Sequence, residues 1–284
     1  MRSVRLADGQ RVPALGLGTW HLGESRAAHK DDVTAVRRAL ELGYRLIDTA
    51  EMYGSGGAER VVGEALGAAT RAGTLRREDV FIVTKVLPAN ASRKGTAAAC
   101  ERSLQRLGVE YIDLHLLHWR GGHPLSDTVA AFEALRERGL IRAWGVSNFD
   151  VDDMDELWAV EAGPRCAINQ VYYSASERGI EFDLLPSQRR RGVATMAYCP
   201  LDQGALAGDT TFADIGIRHG VSAAQAALAW LLRQPDVIAI PKAGREPHLR
   251  ENFDAAQLTL TNHDLAAVDA GFPPPKRKQR LAIT

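Results

Sequence analysis

The chain has 284 residues, 45% hydrophobic and 25% charged, enough to bury a full core and within the range of one large α/β domain. Lys plus Arg and Asp plus Glu each total 35, so no global field draws nucleic acid or an anionic membrane, and small neutral or locally captured ligands are the expected partners. Three widely spaced cysteines without a CxxC pair, a charged MRSVRLADGQ opening, and no run near the ~18 apolar residues of a membrane span together point to a reduced, cytoplasmic protein, expected to be a monomer.

In chain order, SVRLADGQRVPA comes first, an Asp-Gly turn between short alternating runs that predicts a hairpin placed to plug a barrel bottom. The apolar runs PALGLGT, RLIDTA, VFIVTKV, IDLHLLH, RAWGVSN, CAINQVY, VATMAYC and VIAIPKA then read as eight strands. Amphipathic segments such as DDVTAVRRALELG, AERVVGEALGAATRAG and AAACERSLQRLG fill the connections as helices, several stopped by glycine. The strand-end markers Gly18, Asp48, Lys85, His118, Asn148, Gln170, Tyr198 and Pro241 fall 22 to 43 residues apart, the spacing of successive βα units. Eight such units predict a (β/α)8 TIM barrel, one domain over residues 1–284. The last stretch, FPPPKRKQRLAIT, is too proline-rich and charged for the core and reads as a loop near the barrel mouth, short enough to leave the mouth open.

A buried parallel strand has no cheap place for a charge except at its end, and this fold gathers its chemistry at the carboxyl ends of the strands. Asp48 with Tyr53 just beyond, Lys85, and His118 close three successive strands and should therefore face one mouth. A free tyrosine, with a pKa of about 10, is a poor acid at neutral pH. An ammonium at about 4 Å contributes roughly 4 kcal/mol at an effective dielectric of about 20, or about three pKa units toward phenolate before burial opposes it. Asp48 would hold Lys85 charged and aimed, and His118 could donate to an oxygen on which negative charge develops. Each residue has a plain alternative: an Asp48–Lys85 rim ion pair, a packing tyrosine, a histidine bonded to backbone. Their joint occurrence favours chemistry on a carbonyl. His115 and His118, three apart on a strand, point to opposite faces, so no metal site is expected.

Taken together, GYRLIDTAEMYG, VTKV, LHLLHW, GVSNF, NQVYY, AYCPL and IPKAGREPHLREN resemble the aldo-keto reductase family in order and spacing over essentially the whole chain. The resemblance implies NADPH-dependent reduction of aldehydes or ketones, with Tyr53 as general acid, Asp48 and Lys85 tuning it, and His118 orienting the carbonyl. It places the cofactor against Thr19, Asp48, Ser147, Asn148, Gln170, Tyr198, Leu201, Lys242, Ala243, His248, Glu251 and Asn252, and the substrate against Trp20, His118 and Trp119. Members favouring NADPH carry a hydroxyl after the lysine and an arginine six residues beyond it. Ala243 and His248 stand there instead, so a weaker NADPH preference with some NADH use is expected. The resemblance is nearest to bacterial members that reduce 2-oxoaldehydes such as methylglyoxal and small aromatic aldehydes. A rival reading is a catalytically idle barrel that binds nucleotide as a redox-sensing or partner-binding subunit.

Overall fold

The computed structural model describes residues 2–284. An antiparallel hairpin, β1 (Ser3–Arg5) and β2 (Arg11–Pro13), opens it. Val4, Leu6 and Val12 are buried beneath it, and Arg2 donates to the backbone oxygen of Gln234 just ahead of the last strand, so the hairpin caps the amino-terminal end of the sheet as expected.

Eight parallel strands follow in sequence order: β3 (Leu17–Gly18), β4 (Leu46–Asp48), β5 (Phe81–Val86), β6 (Ile112–Leu117), β7 (Ile141–Ser147), β8 (Ile168–Tyr172), β9 (Ala194–Tyr198) and β10 (Val237–Ala239). Bridges from Leu15 to Ala239 and from Gly18 to Lys242 close the sheet into a (β/α)8 barrel. Closure depends on Gly18, because a Cβ there would lie 2.7 Å from the backbone oxygen of Ile240. The helices are α1 (His29–Leu42), α2 (Gly57–Arg71), α3 (Arg93–Leu107), α4 (Leu125–Glu137), α5 (Val151–Ala159), α6 (Leu184–Arg191), α7 (Thr210–His219), α8 (Ala223–Leu232), α9 (Glu246–Asp254) and α10 (Asn262–Gly271). The eight expected strands are all present, the first and last shorter than their apolar runs.

Strand alternation decides what reaches the mouth. Thr84 donates to Glu59 of α2 and His115 packs edge-on against Phe132 of α4, so both point outward. Lys85 and His118, one and three residues further on, point inward. Among the described residues no helix is long and apolar enough to cross a membrane.

Candidate active site

β4 delivers Asp48 to the rim, and the chain turns at once so that Tyr53 opens a short 3-10 turn, Tyr53–Gly56. That turn is fixed by close backbone approach, since a Cβ on Gly57 would fall 2.0 Å from the Gly23 oxygen. The turn carrying Tyr53 is thereby clamped to the loop carrying Trp20 and His21. Lys85 is wholly buried. Its Nζ donates to both Asp48 oxygens (2.9 and 2.8 Å), to the Thr49 backbone oxygen (2.9 Å) and to the Tyr53 hydroxyl (3.2 Å). His118 lies across the mouth with its ring edge-on to Tyr53, centroids 5.8 Å apart.

Burial pushes the Asp48 carboxyl up, and the Lys85 and Gln170 donors pull it only partly back, so it stays above the ordinary carboxylate value. Burial opposes the Lys85 ammonium, but Asp48, then Tyr53, more than offset it, and Lys85 is held above the ordinary lysine value. The geometry of the contact, with Nζ against both carboxylate oxygens, is that of an ion pair. For Tyr53 the expectation from charge alone fails. Burial pushes its hydroxyl up, Lys85 pulls it down as expected, and the net position is above the ordinary tyrosine value. Burial and the Lys85 charge push His118 down to about 2, so its imidazole is neutral.

One continuous cleft of about 590 Å³ runs over this group and along the rim toward α9. Its wall includes Trp20, Asp48, Tyr53, His118, Trp119, Ser147, Asn148, Gln170, Tyr198, Leu201, Lys242, His248, Glu251 and Asn252, all singled out in the sequence. Thr19 and Ala243 do not line it. Thr19 is fully buried with its hydroxyl donating to the Asp48 backbone oxygen (2.9 Å), and Ala243 is buried behind the wall. Ser147 donates to the Gln170 backbone oxygen (2.8 Å), and Asn148 donates to the His118 backbone oxygen (3.1 Å) and accepts from the Tyr198 hydroxyl (2.8 Å). These groups thus already tie the rim together.

Residues not foreseen also form the wall, among them His21, Met52, Cys199, Gln203, Ile283 and Thr284. Cys199, directly after Tyr198 at a strand end, occupied a position that the strand-end rule points to; the others come from loops with no such marker. The segment 273–284 contributes to the mouth instead of lying clear of it. Lys278 reaches toward Asp150 (3.4 Å) and Asp183 (3.7 Å), and Ile283 and Thr284 become part of the wall.

Residues 14–271 match the aldo/keto reductase family. The chain belongs to that family. It is an oxidoreductase acting on carbonyl and alcohol groups with NADP as its cofactor. It is 45% identical to methylglyoxal reductase YeaE of Escherichia coli, over 99% of this chain and 98% of that protein, and 34% identical to a glyoxal reductase of Bacillus subtilis, over 94% and 92%. An aldo-keto reductase from Klebsiella pneumoniae, solved in complex with NADPH, superposes with a TM-score of 0.94 at 43% identity, covering 100% of this chain and 99% of that one. The cleft of this aldo/keto reductase fits such a dinucleotide: polar strand-end groups and the Tyr198 ring stand at one end, and exposed Lys242 with Arg245 and His248 at the other.

Proposed function

We propose that this reductase converts uncharged carbonyl compounds, 2-oxoaldehydes such as methylglyoxal and aromatic aldehydes, into alcohols, with Tyr53 as the proton donor. Bound NADPH supplies the hydride. The Tyr53 hydroxyl gives its proton to the carbonyl oxygen, and Lys85, 3.2 Å away, stabilises the phenolate left behind. Asp48 keeps Lys85 charged. Neutral His118 offers a ring N–H to the same oxygen, orienting it without competing for the Tyr53 proton. Ser147, Asn148, Gln170, Tyr198 and Leu201 would hold the nicotinamide end, and Lys242, His248, Glu251 and Asn252 the adenosine end. We take the working unit to be a cytoplasmic monomer.

The observation that carries the substrate class is the rim. Met52 (41% exposed), Trp119 (37%) and Ile283 (62%) are three of the five exposed large apolar side chains among the described residues, and all three line this mouth. Lys242 is the one lysine or arginine among the lining residues and stands at the far end. A carboxylate on the substrate would lose water here without gaining a cation. Methyl 4-formylbenzoate is therefore expected to show at least about tenfold higher kcat/KM than 4-carboxybenzaldehyde, a difference of about 1.4 kcal/mol. Equal values would refute the uncharged-substrate reading.

Cofactor preference follows from α9. Arg245 Nη2 donates to His248 Nε2 (3.3 Å), bringing a guanidinium beside the histidine, whereas Arg250 is turned toward Glu246 (3.7 Å). NADPH is expected to bind more tightly than NADH, His248→Arg to widen the gap, and Lys242→Met to narrow it by about tenfold. Titration by quenching of tryptophan fluorescence measures all three; unchanged NADPH affinity in Lys242→Met would remove the phosphate-site assignment.

A further inference from the structure

Gln170 lies on β8, far around the barrel from β4, yet its Nε2 donates to Asp48 Oδ1 at 2.7 Å. The side chain is 2% exposed and its Nε2 also stands 2.9 Å from Met196 Sδ. Its backbone oxygen accepts from Ser147 Oγ and the Asn148 N–H, each at 2.8 Å, so the residue is fixed at its base. This bond joins residues 122 apart and crosses the mouth rather than following a strand pairing.

A buried Asp–Lys pair has a competing neutral form, in which the proton sits on the carboxylate and the lysine is an amine. In that form Tyr53 faces no positive charge. Lys85 divides its three protons among Asp48, the Thr49 oxygen and Tyr53. A further donor on Asp48 favours the ionised form. We propose that Gln170 is a positioning residue that keeps Asp48 ionised beside a charged Lys85, so that Asp48 takes a proton only at lower pH. The inference rests on the reading of Tyr53 as the acid.

The titratable groups facing this pair are Tyr53 after β4, His118 after β6 and Cys199 after β9. His118 is neutral, and burial pushes the Cys199 thiol up to about 11, so neither adds charge near neutral pH. Removing the amide donor raises the pH at which Asp48 takes a proton, so activity is lost sooner as pH falls.

The test compares wild type, Gln170→Leu and Gln170→Glu. Asp48 is followed by carboxyl carbon chemical shift in aspartate-labelled protein, assigned against Asp48→Asn, alongside the pH profile of kcat and NADPH affinity. In Gln170→Leu the Asp48 midpoint and the acid limb of kcat are expected at least about one pH unit above wild type, with the alkaline limb in place. Gln170→Glu, close in shape, sets two carboxylates side by side and should move both readings further up; it carries the test if Gln170→Leu does not fold. Weaker NADPH binding with the Asp48 midpoint and acid limb unmoved in both variants would overturn the proposal and leave Gln170 a cofactor contact. An inactive wild type would instead remove the Tyr53 reading, and the Asp48 midpoint would still decide the role of Gln170.

Discussion

Tyr53→Phe is expected to bind NADPH as tightly as the wild type and to reduce carbonyl substrates about 10³-fold more slowly, within the range that one general acid contributes. The substitution keeps the ring, and with it the edge-on contact to His118. It deletes a hydroxyl whose bond within the chain is with Lys85. Folding should therefore change little. Because burial holds this hydroxyl above the ordinary tyrosine value, the wild-type proton is present throughout the neutral range. On the proposed reading, acid strength would come from Lys85 stabilising the phenolate as it forms, not from a hydroxyl already half ionised. Saturating turnover, NADPH titration and a melting curve on one preparation check the three parts together. Wild-type turnover in the variant would end the assignment.

Lys85→Met is expected to lose activity on a similar scale, about 10²- to 10⁴-fold, and also to lose stability. It leaves Asp48 as a buried carboxylate without its cation, a change that costs about 3–5 kcal/mol when one partner of a buried pair is removed. The sign with pH follows. Burial already holds the Asp48 carboxyl above its ordinary value, and without Lys85 it rises further, so the variant is least impaired below the unfolded pKa and loses stability as pH rises through the folded one. Its melting temperature should therefore approach that of the wild type in acid and fall behind at neutral pH. Adding Asp48→Asn should recover stability at neutral pH without recovering turnover. Recovery of both would make Lys85 a structural residue.

The barrel and the charged corner at its mouth were legible in the sequence because most of its strands are short apolar runs, several of them ended by a polar residue that has nowhere to go but the rim. That logic placed Asp48, Lys85 and His118 at one mouth, and strand parity turned His115 away from it toward Phe132. It could not see bonds between strands remote in sequence, such as that from Gln170 to Asp48, which leaves no trace in periodicity or spacing. Nor could it weigh burial against charge at Tyr53, where the depth of the cleft decides the balance. Thr19, which the resemblance sets against the cofactor, turns its hydroxyl inward to the Asp48 backbone oxygen and does not line the cleft. The wall formed by Ile283 and Thr284 depends on where Lys278 pins its segment, which composition alone does not fix.

The central claim is that Tyr53 acts on the reacting atoms, and the deuterium isotope effect on kcat of Tyr53→Phe, measured with NADPH carrying deuterium at its transferring position, tests it most directly. If the lost proton slows bond breaking at the carbonyl, transfer becomes the slow step and the variant shows a full primary effect. A slow variant with no isotope effect would place its defect in binding or conformational change and contradict the assignment.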